Sequence, residues 1–158
     1  MHTDDRAGVI DPDADLDQRR SRSRARYDVL AVIALGGVVG ASGRYAIADL
    51  VPTGTDGFPT ATFLTNVAGS FLLGLVAVLA VERLPPGRYL RPFVATGVLG
   101  AFTTFSTFAV EGVVLVDHGR PALAVVYVVS TVVVGLAAAW CGVAAARVLA
   151  ARPSRPAP

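Results

Sequence analysis

Four long stretches of this sequence carry almost no charge. Residues 58–81, 92–110 and 121–146 contain no Asp, Glu, Lys or Arg, and residues 29–48 contain a single charged residue, Arg44. A membrane-spanning helix needs about 20 mainly apolar residues. The pattern therefore predicts an all-α membrane protein with four transmembrane helices.

The charged residues are concentrated at the ends of the chain. Residues 1–28 hold seven Asp and six Arg without apolar periodicity, which predicts a disordered tail. The membrane domain is expected over 29–148, followed by a short tail over 149–158. Only 16% of the residues are charged, against about 25% in soluble domains. This composition excludes a soluble enzyme, a nucleic-acid-binding protein and a disulfide-stapled secreted domain.

The third apolar stretch contains a segment that is poorly suited to a continuous helix. Gly97 and Gly100 precede seven consecutive residues, 102–108, that are all aromatic, Thr or Ser. These residues have mediocre helix propensity, and hydroxyl side chains compete for backbone partners. Irregular backbone is tolerated inside a membrane only where it is buried in protein or lines a wet cavity. The sequence therefore predicts a broken third helix, whose freed carbonyl groups could hold a cation.

Two ionisable side chains, Arg44 and Glu111, and one amide, Asn66, stand out among the polar groups of the spans. Ionisable groups there are costly and are by default functional candidates. Arg44 is near enough to a span end to reach the interface, or it could attract anions in an aqueous vestibule. Glu111 could pair with a hydroxyl or stay protonated. Asn66 could join two helices by hydrogen bonding or donate to a permeating anion.

Phe105 and Phe108 are three residues apart and would share a face if this segment were locally helical. Two phenylalanines are usually a packing pair, but aromatic ring edges are electropositive. Such edges can touch a small anion without trapping it as a full charge would. Weak coordination at several sites is what conduction requires.

The motifs of this sequence resemble those of the CrcB/Fluc fluoride channels. The similarity lies in residues 36–45, 62–71 and 97–108 followed by Glu111, and it covers roughly 29–148. The string Thr-Thr-Phe-Ser-Thr-Phe after Gly-x-x-Gly is its most specific part. The resemblance implies an antiparallel dimer of four-helix subunits that exports fluoride to lower its toxicity, with a structural sodium ion at the dimer centre.

The resemblance also implies roles for individual residues. Sodium would be bound by the backbone carbonyls of Gly100 and Thr103 from both subunits. Arg44 would lie in the vestibule, and Glu111 would give polar support. In the fourth span, Ser130 is a weaker candidate for the pathway than its neighbours Tyr127 and Thr131. The fluoride pathway would be lined by Asn66, Phe105, Ser106, Thr107, Phe108, Tyr127 and Thr131.

Arginine residues are distributed unequally between the two sides of a four-span chain. The N-terminal tail, the loop 82–91 and the C-terminal tail share one side, which holds 11 Arg near the spans, while the other side holds only Arg120. Without the N-terminal tail the ratio is still 6 to 1. The positive-inside rule then predicts cytoplasmic termini for a multi-pass protein surrounded by the lipids of the cell membrane.

This asymmetry bears on the expected second subunit. A homodimer of antiparallel subunits needs one sequence to insert both ways, which suits a weak charge bias. The strong bias favours a separately encoded paralogue of opposite orientation, with the homodimer as the alternative.

Two other functions fit a four-span chain. A small multidrug exporter working by proton exchange would use a carboxylate in its first span, where this sequence has none before Asp49. An assembly subunit could complete a partner's pore, but the intact Asn66, Phe105 and Phe108 argue against it. An enzyme is not expected, because the spans contain no nucleophile–base pair.

Overall fold

The computed structural model describes residues 12–51, 57–82 and 87–151, with side chains described for 26–51, 57–80 and 87–151. Its elements are α1 (Pro12–Leu50), α2 (Thr60–Glu82), a π-helical segment (Pro92–Leu99), α3 (Gly100–Phe102), α4 (Phe105–Asp117) and α5 (Pro121–Ala150). Four stretches are long and apolar enough to cross a membrane, namely Arg26–Leu50, Thr60–Ala80, Pro92–Asp117 and Pro121–Ala150. The predicted all-α, four-span membrane protein is confirmed.

Helix α1 extends well beyond its membrane span. It begins at Pro12 and is 39 residues long, or about 58 Å at 1.5 Å per residue. The structure thus places 12–28 in a helix, where the sequence analysis expected a disordered tail. Proline suits a first helical turn, and early Asp residues followed by Arg three or four positions later favour a helix. Residues 1–11 lie outside the described chain.

Glycines bring α1 close to the first half of the third span. Gly36 lies against the carbonyl of Phe93 and the backbone of Gly97, and Gly40 lies against the carbonyl of Val98. A Cβ atom at either position would collide with backbone, so only glycine permits this close approach. This is the packing role that small residues three or four apart indicate in a membrane helix.

A second close pair is formed by α2 and α5. Gly74 of α2 lies against the backbone of Ala139, and Gly142 of α5 lies against the backbone of Phe71. The bundle therefore contains two tightly packed helix pairs, α1 with the π-helical segment and α2 with α5. Helix α4 also packs on α5, which brings the second half of the third span over the α2–α5 pair.

The third span changes conformation near its middle. Residues Pro92–Leu99 are π-helical, and α3 then ends at Phe102. Thr103 (φ −79°, ψ 157°) and Thr104 (φ −145°, ψ 122°) are extended. Helix α4 begins at Phe105, with Thr104 as its N-cap. Two extended residues thus separate two helical segments within one apolar span.

Candidate functional site

The side chain of Asn66 holds the extended backbone of Thr104. Asn66 Nδ2 donates to the Thr104 carbonyl at 3.0 Å, and the Thr104 N–H donates to Asn66 Oδ1 at 2.9 Å. Each such bond contributes about 0.5–1.5 kcal/mol net, and an unpaired buried group costs about 1–3 kcal/mol. The amide therefore supplies the partners that irregular backbone inside a membrane requires. Of the two interpretations of Asn66, this contact supports the one in which its side chain joins two spans by hydrogen bonds.

The interruption also removes the usual donors of two carbonyl groups. In a continuous α-helix the carbonyl of Gly100 accepts from the N–H of residue 104, and that of Thr103 accepts from residue 107. Here the Thr104 N–H is bound to Asn66, and the Thr107 N–H donates to Thr104 Oγ1 at 3.2 Å. Gly100 and Thr103 are therefore two of the residues whose carbonyls lose their helical partners at the break.

One cavity, which we call the polar cavity, lies between α1, α2 and α4. Its volume is about 440 Å³, and Arg44 of α1 and Glu111 of α4 both line it. The remaining polar lining consists of Tyr45, Thr62, Thr65, Thr104 and Thr107. Arg44 is half-buried, so its guanidinium group is part of a recessed space.

Glu111 is bound at both carboxyl oxygens by hydroxyl groups from other spans. Thr62 Oγ1 donates to Oε1 at 2.9 Å, and Tyr127 OH donates to Oε2 at 2.8 Å. A carboxylate accepts two such donors readily, since it has acceptor sites on both oxygens. Glu111 thus connects α2, α4 and α5 through one polar group, which is the hydroxyl pairing considered in the sequence analysis.

A second cavity, which we call the aromatic cavity, lies on the other side of Thr104. Its volume is about 560 Å³, and no ionisable residue occurs among the described residues that line it. Phe105 and Phe108 line it with ring centroids 6.0 Å apart and planes tilted by 47°. Phe105 is 80% exposed in the single chain. Asn66, Gly100, Thr103, Thr104 and Thr131 are also in the lining.

Two residues predicted for the pathway, Tyr127 and Ser106, and the lower-ranked Ser130 lie outside the cavity linings. Tyr127 is fully buried, and its ring lies 5.3 Å from the ring of Phe108. Its carbonyl accepts from Ser130 at 3.2 Å and from Thr131 at 2.7 Å. Ser106 Oγ is 3.4 Å from Thr104 Oγ1. Tyr127, Ser130 and Ser106 are absent from the residues that line either cavity.

Thr104 is the residue that connects these features, and the sequence analysis assigned it no role. Its backbone binds Asn66, its hydroxyl accepts from the Thr107 N–H, and the same hydroxyl donates to Thr107 Oγ1 at 3.0 Å. It is buried and lines both cavities. The sequence signal for Thr104 was its place in the hydroxyl-rich motif, but sequence alone cannot distinguish it from the adjacent Thr103.

A four-span bundle with an interrupted span, a recessed polar cavity and an uncharged aromatic cavity has the features of a small ion-transport protein. The chain belongs to the CrcB family, since the family model described as CrcB-like protein, Camphor Resistance (CrcB) matches residues 31–143. Every polar and aromatic group of the site lies inside the matched region. The resemblance drawn from the sequence motifs is therefore confirmed.

Several similar proteins are named fluoride-specific ion channels. FluC 3 of Streptomyces avermitilis is 50% identical over 83% of this chain, which spans 64% of that protein. FluC 2 of the same organism is 47% identical over 72% of each chain. FluC of Paracoccus denitrificans is 43% identical over 73% of this chain and 91% of its own length. These relatives are channels by name and not enzymes.

Proposed function

We propose that this chain is a subunit of a fluoride-selective channel. The observation that carries the proposal is the aromatic cavity, which places two Phe rings beside the Asn66 amide and three threonine side chains with no ionisable group in its described lining. The relatives named fluoride-specific ion channels support the choice of ion. The proposal requires that this neutral lining replace the water that fluoride gives up.

Neutral groups suit a small, strongly hydrated anion. A cation such as Arg within a narrow pathway would bind fluoride too firmly, whereas conduction needs binding that is weak and spread over several sites. Amide N–H groups, hydroxyl groups and the electropositive edges of Phe105 and Phe108 each supply a modest contact. The polar cavity, with Arg44, raises the local anion concentration at the entrance.

Thr104 and its neighbours connect the two cavities. Thr104 lines both, and its hydroxyl is bonded to Thr107 Oγ1 and lies near Ser106 Oγ. We therefore assign the hydroxyls of Thr104, Ser106 and Thr107 to the part of the pathway between Arg44 and the Phe rings. Tyr127 and Thr131 continue it from α5, with Tyr127 acting through Glu111 and the ring of Phe108.

The direct test is anion efflux from liposomes that contain the purified protein. Fluoride release with chloride retained is the expected result. Equal release of the two anions would contradict selectivity. Absence of release from this protein alone, with release after a second subunit is added, would assign the chain to a two-component channel.

We also infer that the pair of carbonyls at the break binds a structural sodium ion. Carbonyl oxygens are neutral ligands suited to a hard monovalent cation, and unwound membrane helices supply them in other transport proteins. The Gly100 and Thr103 carbonyls fit this role because their helical donors are engaged by Asn66 and Thr104. With two subunits, four such carbonyls would surround the ion and join the dimer across the aromatic cavity.

The orientation of the subunit is the remaining part of the proposal. Eleven Arg near the spans on one side against Arg120 on the other favour cytoplasmic termini in the cell membrane. Export of fluoride from the cytoplasm is proposed from the resemblance to fluoride channels. A chain so biased would pair with an oppositely oriented paralogue. Accessibility of a C-terminal tag on intact cells tests this point, and equal populations inside and outside would instead support a homodimer.

A further inference from the structure

Gly69 lies on the same side of α2 as Asn66, one helical turn further along. Asn66 binds the backbone of Thr104, while Gly69 faces the preceding residue of the same extended segment. A Cβ atom at position 69 would collide with the methyl group (Cγ2) of Thr103. It would also lie 3.3 Å from Cδ1 of Phe102. Helix α2 thus faces both extended residues of the interruption and the last residue of α3 through two residues of its own.

The Thr103 side chain has little freedom to move away from this contact. Its hydroxyl donates to the carbonyl of Leu99 at 3.0 Å, which fixes χ1 and turns the methyl group toward α2. Gly69 is buried, so the space that the methyl group fills exists only because residue 69 lacks a side chain. The Thr103 methyl group thus occupies the space that a side chain at position 69 would otherwise take.

Gly69 differs in this respect from Gly74 and Gly142, two other buried glycines of the α2–α5 pair. At Gly74 and Gly142 an added Cβ would meet the backbone of the opposite helix, so these two set the distance between helices. At Gly69 the added atom would meet a side chain of the interrupted third span. Gly69 therefore affects the conformation of the break in the third span, whereas Gly74 and Gly142 affect the packing of α2 against α5.

We propose that Gly69 is a positioning residue of the ion site, which sets the location of the Thr103 carbonyl by accommodating the Thr103 methyl group. This inference rests on the proposed function, because its consequence is a displaced sodium site and a misaligned Phe105–Phe108 pair. The backbone clamp by Asn66 fixes the Thr104 end of the segment, and Gly69 fixes the Thr103 end.

The test is a double-mutant cycle that exchanges one methyl group for another. Gly69→Ala adds the Cβ, and Thr103→Ser removes Cγ2 while keeping the hydroxyl that donates to Leu99. We expect Gly69→Ala to slow fluoride efflux by about tenfold in the wild-type background, as overpacking does in tight interiors. In the Thr103→Ser background the same change is expected to slow efflux by about twofold or less.

A second readout separates positioning from general packing. Gly69→Ala should raise the sodium concentration that supports half-maximal efflux by about fivefold, because the Thr103 carbonyl moves. Gly74→Ala serves as the matched control on the same helix. It should lower the thermal unfolding midpoint without shifting the sodium dependence, and Thr103→Ser should not rescue it.

The outcomes distinguish this inference from the proposed function. If the wild-type protein shows no fluoride efflux with or without a partner, the proposed function fails, and the same cycle is then measured in thermal unfolding midpoints. If the wild type conducts, unchanged efflux in Gly69→Ala overturns the inference. An equal loss in both backgrounds also overturns it, because the collision would then involve something other than the Thr103 methyl group.

Discussion

The polar and aromatic cavities differ in the kind of group that meets an ion. Among its described lining residues the polar cavity has the ionisable side chains of Arg44, Glu111 and Tyr45, together with a wall of threonine hydroxyls. The aromatic cavity has none among its described lining residues and presents Phe105, Phe108 and an amide instead. Only Thr104 lines both. Under the proposed function, charged side chains lie where an anion collects, and neutral dipoles lie where it loses its water of hydration.

The two cavities also differ in what holds their walls in place. The polar cavity depends on Glu111, whose oxygens accept from Thr62 and Tyr127. The aromatic cavity depends on the extended backbone at Thr103 and Thr104. That backbone is held by the side chain of Asn66. Loss of Asn66 would therefore affect the aromatic cavity most, and loss of Arg44 would affect only the supply of ions to the polar one.

The largest effect is expected from Asn66→Leu, which keeps bulk and removes both partners of the Thr104 backbone. Two unpaired buried groups at about 1–3 kcal/mol each correspond to a loss of flux of about 100-fold or more. Fluoride efflux from liposomes measures it, together with the thermal unfolding midpoint in detergent.

The matched control for Asn66→Leu is Leu64→Ala, on the same helix but at an exposed position. It should change efflux by no more than about twofold, as for other exposed substitutions. If Asn66→Leu conducts at the wild-type rate, the clamp is not needed to hold the aromatic cavity.

The four spans were predictable from sequence because each is an uncharged run of the length that a bilayer requires. The interruption near residues 102–108 was foreseeable as a weak helix, since its residue types are individually poor helix formers. The π-helical geometry of Pro92–Leu99 was not, since its residue types do not distinguish it from an α-helix, and the segment packs closely against Gly36 and Gly40 of α1. Local composition has no signature for that contact.

The site was predictable as a set of residue types and not as a set of contacts. Glu111 binds Thr62, which is 49 positions away, and Tyr127, which is 16 positions away. These pairings arise from the packing of three spans and leave no periodic pattern in the sequence. Asn66 illustrates the same limit, since two roles for a buried amide were open until its partner, the Thr104 backbone, was known.

The next largest effect is expected from Phe108→Ile. The aliphatic side chain retains bulk but lacks the electropositive ring edge, and such aromatic contacts are worth about 0.5–1.5 kcal/mol. We expect fluoride efflux to fall by about tenfold, since 1.4 kcal/mol is a factor of ten. The ring also packs on Tyr127, so the unfolding midpoint should be measured on the same sample.

A matched variant separates the ring edge from the packing role of Phe108. Phe108→Tyr keeps the ring and should restore most of the efflux lost in Phe108→Ile. Equal efflux in Phe108→Ile and the wild type would mean that the ring edge does not contact the ion.

A smaller effect is expected in the polar cavity from Tyr127→Phe, which removes one of the two donors to Glu111. A hydrogen bond to a charged group is worth about 1.5–3 kcal/mol, and most of this loss should appear as lower stability. Efflux should fall by only about threefold, because the ring that remains at position 127 still packs against the ring of Phe108. Thermal unfolding and efflux are the two measurements.

Thr62→Val removes the other donor and completes a cycle with Tyr127→Phe. The two hydroxyls share one acceptor group, so their effects on the unfolding free energy should be coupled by about 0.5 kcal/mol or more. Simple additivity would show that Glu111 does not connect α2 with α5 in the membrane.

The smallest effect is expected from Arg44→Gln, which leaves the pathway intact and removes only the attraction of anions to the polar cavity. Fluoride efflux should fall by about threefold at low ionic strength, and the difference should nearly vanish at 1 M salt, where the Debye length is about 3 Å. Arg44→Lys retains the charge and should behave as the wild type at each salt concentration. A loss in Arg44→Gln that is independent of salt would show that Arg44 contacts the permeating ion directly. Arg44 would then belong to the conduction pathway, and the contrast between a charged entrance and a neutral interior would be wrong.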